Sequence, residues 1–427
     1  MVFLEINEFS PALLNQAALE LKTDNIRKLL QMQRSETEAI EKEERFGLDP
    51  WVQWVSIHTG LPATTHKVDH LGDVPQLNHK QIWESISEMG FNVGVWGAMN
   101  ASKGSAKNCD FFFPDPWTFS ERAYPPELNQ LLGIARYYSK NYLDLSYFQL
   151  LKEALRLSAF CLRPKIMSAL IPIAPTVMIH LIKYGPREYL LFLLFDLVNA
   201  TLFRKYYKAS RSDFAIVFLN SIAHLQHHKW TSESRLSEEM TIGFRLLDKI
   251  LGIIFSAVPE SLPIVAINSF SQVCAFEKRE FLYRQKNPSK FLELVGIKFL
   301  RLEQAMTNDG HVFFSNETER NSAAKLLNDI TVGGQKAFHV DTNILTPLQL
   351  FFQFVLWEQI DPNAQLVANS KQFNFFELFE EVARRSGTHI PNGDIFARGI
   401  VLPKKMWNYE IGSKVVDYFL RRKAANL

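Results

Sequence analysis

Cysteine is scarce. Cys109, Cys161 and Cys274 are the only three in 427 residues, and none stands at the spacing of a metal knuckle or a redox pair. That excludes cysteine-based chemistry by motif and fits a reducing, cytoplasmic compartment. Charge of one sign is missing as well. With 47 basic and 45 acidic residues the formal net charge is +2, and no long like-charge run favours a nucleic acid partner. No window reaches the uninterrupted ~18–20 apolar residues that a membrane span requires. The most apolar region, 166–207, is broken by Lys183, Arg187, Glu188 and Asp196. It reads as a buried helical hairpin, with contact to a membrane surface as the other reading. The opening Met1-Val-Phe-Leu-Glu-Ile-Asn turns acidic too soon for a signal peptide and reads as a first strand. Internal repeats and low-complexity tracts are absent too.

What is present is a large apolar inventory. Hydrophobic content of 47% and aromatic content of 13%, with 34 phenylalanines, predict a filled core rather than a disordered chain. Apolar runs at 2–6, 91–96, 214–219 and 263–267 end in polar or glycine-containing turns, and 366–368 is a shorter run of the same kind. Helix-like stretches lie between or after them, including 82–89 and 374–385. This alternation predicts an α/β fold, a mostly parallel sheet sandwiched by helices. Residues 118–212 break the rhythm with helical spacing over 142–157 and 189–203. They are expected to form a helical cap inserted into a core made of 1–117 and 213–427. Residues 31–46 are strongly polar and read as a surface segment.

Open α/β sheets place their chemistry just past the carboxyl ends of strands. The densest such segment is Asn220-Ser-Ile-Ala-His224-Leu-Gln-His227-His228, directly after the 214–219 run. Asn7 and Glu8 follow the first run, Asn268 and Ser269 follow 263–267, and His389 lies in Ser386-Gly-Thr-His-Ile-Pro-Asn-Gly393. Trp51, Trp54, Trp96, Trp117 and Trp230 suit the core better than ligand stacking. Asp115 reads as a turn former. Lys278-Arg279, Tyr283-Arg284 and Arg398 could meet an anionic substrate, or form a solvated face.

The ordered set of pieces resembles the alkaline phosphatase superfamily, in its type I phosphodiesterase/nucleotide pyrophosphatase branch. The pieces are the opening strand, Trp51-Val-Gln-Trp54…Thr59-Gly60-Leu-Pro62…His66, Gln81-Ile-Trp83-Glu84…Met89-Gly90-Phe, Asn220-xxx-His224, Asn268-Ser269, and Thr388-His389-xx-Asn-Gly393…Ala397-Arg-Gly399. Together they span 1–115 and 213–403. The resemblance implies two metal ions held by carboxylates and histidines, and a threonine or serine nucleophile. Position by position the chain departs from this. Asn7, Asn220 and Asn268 stand where the family has aspartates, Ser269 stands for a histidine, and Pro50 stands for the nucleophile. Only His224 and His389 are retained, two of the seven positions.

Two divalent ions side by side need anionic ligands, and asparagine offers only a neutral oxygen. A standard two-metal, covalent mechanism is therefore not expected. A single divalent ion, zinc first, could be held by Glu8, His224, His227 and His389. A metal-free acid–base site would use His224 or His58 with Glu8. Ser56 and Ser269 are the replacement nucleophiles to consider. Asn7, Gln53, Asn220, Asn268, Ser269 and Arg398 are the expected substrate contacts. Three functions stay open. One is an altered-mechanism enzyme acting on a small-molecule or glycan-linked phosphate or sulfate ester, and another is a non-catalytic binding or regulatory protein of the same fold. The third is a metal-free transferase or lyase in polysaccharide or secondary metabolism. Oligomeric state is not legible.

Overall fold

A computed structural model describes residues 1–40, 48–141, 145–233, 235–304, 308–342 and 348–425. The chain divides into two compact units: residues 1–135, 147–274 and 387–427 make the first, and 136–146 with 275–386 make the second.

The first unit is built on an eight-stranded sheet. Its strands in chain order are β1 (Val2–Ile6), β2 (Gln33–Glu38), β3 (Val93–Trp96), β4 (Cys109–Phe113), β5 (Phe214–Leu219) and β6 (Ile264–Ile267). A side pair follows, β7 (Ser271–Cys274) with β8 (Gly387–Ile390), and then β9 (Asn392–Arg398) and β10 (Lys405–Trp407) complete the main sheet. The sheet order is β10-β2-β9-β6-β1-β5-β3-β4. Every neighbour pairing is parallel except the two made by β9. The expected mostly parallel sheet with flanking helices is what the chain forms.

β1, β5 and β6 are buried along their whole length, as strands covered on both faces must be. Val2, Leu4 and Ile6 face a core shared with the helices at 11–20, 188–210 and 238–255. Phe3 and Glu5, one residue out of phase, face the other layer, which contains the Pro50–Thr59 helix. Register brings the strand ends together: Ile6 pairs with Leu219, and Glu5 with Ile267. Asn7 N–H donates to the Leu219 carbonyl at 2.9 Å. Because β9 runs the other way, the β7–β8 pair just before it lies at this same edge.

Several expectations need correction. Residues 31–46 are not simply surface, because 33–38 form β2 inside the main sheet with Ser35 and Thr37 buried. The inward residues are themselves polar, so the alternation carried no hydrophobic mark; 41–47 lie outside the described residues. The 374–385 helix is a single turn, Phe375–Leu378, followed by a strand, Phe379–Arg385, paired antiparallel with Glu280–Gln285. Strand pairing overrides the local helical preference there. The 366–368 run is a strand, Gln365–Ala368, but of a four-stranded sheet in the second unit.

The expected core of 213–427 is also not one body. Residues 275–386 pack around their own centre of Tyr283, Phe291, Phe338, Phe354 and Phe379. The last helix of the expected cap, Glu188–Ser210, instead buries Leu190, Leu193, Leu197 and Leu202 in the main core of the first unit.

The expected buried hairpin is half wrong. Pro164–Tyr184 is long and apolar enough to cross a membrane, with mean hydropathy 1.7, and only 11% of that window is buried. Lys165 and Lys183 sit at its two ends, and Arg187, Glu188 and Asp196 lie beyond it, so the charges bound the run rather than interrupt it.

Candidate functional site

Three donors converge at the carboxyl edge of the sheet. Glu8 follows β1 in a two-residue turn and adopts φ +52°, the left-handed region that a side-chain-bearing residue rarely occupies. Such a conformation costs of order 1 kcal/mol and persists where its surroundings enforce it. Here the enforcement is visible. Gln226 Nε2 donates to the Glu8 backbone carbonyl at 2.6 Å, Gln272 Nε2 donates to Glu8 Oε2 at 2.5 Å, and Asn7 Nδ2 donates to Glu8 Oε1 at 3.0 Å.

His227 sits on the Ser221–His228 helix, and its Nε2 lies 3.0 Å from Glu8 Oε2. His389 sits on β8 opposite Gln272 of β7, and its Nε2 lies 3.0 Å from the same oxygen and 3.4 Å from His227 Nε2. His389 Nδ1 is 2.8 Å from the Leu48 carbonyl. A carbonyl only accepts, so Nδ1 carries a proton and Nε2 is the nitrogen turned to the carboxylate. Nε2 either donates a proton to the carboxylate, as imidazolium, or leaves its lone pair for a cation. Burial opposes the charge of Glu8, but His389 and His227 outweigh it and hold the carboxyl well below the usual carboxylate range.

The frame around these donors is closed. Asn7 Nδ2 also donates to Asn220 Oδ1 at 2.8 Å, and Trp54 Nε1 donates to Asn7 Oδ1 at 2.8 Å. The start of the Ser221–His228 helix rests on Asp196, whose Oδ2 accepts the Asn220 and Ser221 amides at 3.0 and 2.8 Å. Burial pushes Asp196 up to about 6, against those hydrogen bonds. Gly387 supplies clearance: a Cβ there would lie 2.4 Å from the Gln226 carbonyl oxygen and 2.6 Å from Gln272 Oε1. Gly387→Ala is therefore expected to lower stability by ~1–3 kcal/mol and to part His389 from His227. Urea unfolding midpoints measure the first effect.

Other expected site residues go elsewhere. His224 does not join the donor cluster; its ring stacks on Phe192 at 3.9 Å. It lines a cleft of about 210 Å³ with Arg187, Glu188, Tyr189, His228, Lys229 and Glu239. His58 is not beside Glu8. It is fully buried between Trp54 and Trp83 and pairs with Glu5 at 2.7 Å, because Glu5 points to the opposite sheet face.

Ser56 Oγ donates to the Val52 carbonyl at 3.2 Å and lies 2.9 Å from His66 Nε2. His66 Nδ1 accepts the Val68 amide, so Nε2–H points at the serine and no base faces its hydroxyl. Ser269 is fully buried.

The expected substrate contacts fare similarly. Gln53 bonds the Ile40 carbonyl and Asn408. Asn268 is fully buried, bonding the Phe9 carbonyl, Ser271 and the Asp394 amide. Both are structural. Arg398 pairs with Glu260 beside Ile264, the start of β6, at the edge opposite the cluster. Lys278, Arg279 and Arg284 belong to the second unit. Asp115 is the turn former expected, accepting the Trp117 and Thr118 amides. Gln226 and Gln272 were not legible as site residues, since only the fold sets them against Glu8.

No family model matches the chain, and no curated protein does. Among solved structures it is similar to phosphonoacetate hydrolase from Sinorhizobium meliloti 1021 in complex with phosphonoformate, at 11% identity and TM-score 0.48 over 98% of this chain and 95% of that one. It is also similar to human ectonucleotide pyrophosphatase/phosphodiesterase 5, at 9% identity and TM-score 0.48 over 98% and 94%. The murine counterpart, an inactive form in complex with AMP, gives 8% identity and TM-score 0.45 over 99% and 94%.

Proposed function

We propose that the chain hydrolyses an anionic phosphate or sulfate ester by direct attack of water, with one divalent cation, zinc first, held by Glu8, His227 and His389. The observation that carries this reading is the convergence of three donor atoms, separated by 3.0, 3.0 and 3.4 Å. Zinc bound tetrahedrally at 2.0–2.1 Å sets its ligand atoms ~3.3 Å apart. Two histidines and one glutamate also make a known three-ligand catalytic set with one position left open. The His389–Leu48 contact supplies the outer hydrogen bond that a metal-bound imidazole normally makes.

When bound, such an ion lowers the pKa of a coordinated water and polarises an ester oxygen. The chain's own residues do the rest. Gln226, Gln272 and Asn7 fix the glutamate, and Leu48 fixes the tautomer of His389. The adjoining cleft, whose His228 ring lies 6.0 Å from that of His227, offers Arg187 and Lys229 to the ester anion. His224 and His228 line the same cleft, and on this reading one of these imidazoles would pass the proton to the leaving oxygen. Of the expected nucleophile positions, Pro50 carries no nucleophile, Ser56 has no base facing its hydroxyl and Ser269 is fully buried, which supports water as the attacking group.

The test is metal analysis of protein purified without chelators, with turnover of aryl phosphate, phosphodiester and sulfate esters. About one ion per chain is expected, lost in His227→Ala and His389→Ala and kept in His224→Ala. Absence of metal from all of them would overturn the reading. The closed Asn7–Asn220–Trp54 network favours a second reading, a non-catalytic binding protein. Stoichiometric metal with no turnover of any ester would select it.

A further inference from the structure

We propose that the face formed by residues 147–184 docks on an anionic lipid surface, a role independent of the hydrolase reading. The observation is a concentration of uncovered apolar side chains. Among the described residues, 10 of the 21 exposed large hydrophobics fall within 147–184. On the Tyr147–Cys161 helix, Phe148, Leu151 and Leu155 follow one stripe, and Ile171, Met178 and Ile182 follow another on the segment after it. Exposed apolar area of this extent marks an interaction surface.

Charge selects the occupant. Residues 147–187 carry Lys152, Arg156, Arg163, Lys165, Lys183 and Arg187 against a single acid, Glu153, which is taken up by Arg156 at 2.6 Å. A chain of net charge +2 therefore gathers a surplus of basic residues where its apolar side chains are bare. Apolar stripes with basic flanks are what an interfacial helix presents to acidic headgroups.

The segment lies on the surface rather than spanning. Its helix is interrupted by a 3₁₀ turn at Ile171–Ile173, and Ile166 and Ile173 are buried in the core of the first unit. Leu170, Val177, Leu181 and Tyr184 pack against that core as well. One side is thus tied down along its length and the other is left bare. The chain runs from the end of this face directly into Arg187, Glu188 and Tyr189 of the cleft, so docking would bring the cleft close to the bilayer surface.

Co-sedimentation of the full chain with vesicles tests the proposal. Binding to vesicles of three parts phosphatidylcholine to one part phosphatidylserine is expected to exceed binding to pure phosphatidylcholine at least tenfold, and to weaken at 0.5 M salt (~4 Å screening). Ile179→Glu with Ile182→Glu should abolish it; these residues are 61% and 79% exposed, so the fold and any ester turnover should persist. Lys165→Glu with Lys183→Glu should remove the preference for the anionic lipid. Three results would overturn the proposal: no binding to anionic vesicles, binding unchanged in the isoleucine variant, or recovery in the alkali-resistant membrane fraction. A dimer in sedimentation velocity that the isoleucine variant converts to monomer would also overturn it, by assigning the face to a second copy.

Discussion

Glu8→Gln is expected to empty the three-donor centre and to abolish ester turnover. Glu8 Oε2 is the one atom that both imidazoles share, at 3.0 Å each, and it also accepts from Gln272. Glutamine keeps the volume but offers a neutral oxygen, and its amide hydrogens would meet groups that now face an acceptor. Loss of an outer-shell partner alone costs ~10–100-fold in metal affinity, so loss of the anionic ligand should exceed ~100-fold. Removal of one member of a buried charged cluster also costs ~3 kcal/mol or more in stability. Metal content, calorimetry and turnover read the three effects separately. A Glu8→Gln protein that keeps stoichiometric metal and activity would sink the assignment. A folded protein that loses the metal while keeping activity would place the chemistry in the cleft instead.

Asp196→Asn is expected to change how stability depends on pH. The carboxyl is pushed up to about 6 in the folded chain by burial, from an ordinary value of 3.8. Between those values the native state binds the proton and the unfolded state does not. The stabilisation is therefore complete below about pH 4 and is lost as pH rises through about 6, an amount of order 3 kcal/mol. Asparagine cannot titrate and can still accept an amide hydrogen at the helix start. The difference in unfolding free energy between the two proteins should consequently shift in favour of the variant across pH 4–6 and level off above it. A difference independent of pH would show that Asp196 stays charged, held by the amide hydrogens it accepts at the helix N-terminus.

Much of the scaffold could be read from the chain because fully buried parallel strands announce themselves as apolar runs. β1, β5 and β6 did so, and their ends fixed the edge where Asn7, Asn220 and Asn268 lie. The choice among histidines was less accessible. His224 and His227 are three residues apart on one helix, and in the fold His224 stacks on Phe192 while His227 reaches Glu8. His58 was assigned to Glu8 although strand alternation already placed its true partner, Glu5, on the other face. β2 was hidden because its inward residues are serine and threonine. Gln226 and Gln272, which hold Glu8 in place, look in sequence like any other neutral polar residues. The second unit was missed since its short strands, bounded by helical turns, imitate the rhythm of the main sheet.

The β7–β8 pair has a further consequence. Cys274 and Gly387 are register partners, and the next residues along, Ala275 and Ser386, are joined by a 2.7 Å backbone hydrogen bond. The chain thus leaves for 275–386 from the end of β7 and returns at the start of β8, and His389 is two residues past that return. The excursion has the form of a hairpin loop grown to the size of a domain. Loop-closure entropy rises only with the logarithm of length, so its size bears weakly on how His389 is held. A graft that closes β7 onto β8 with a tight turn would remove 275–386 and leave β8, with His389, in the first unit.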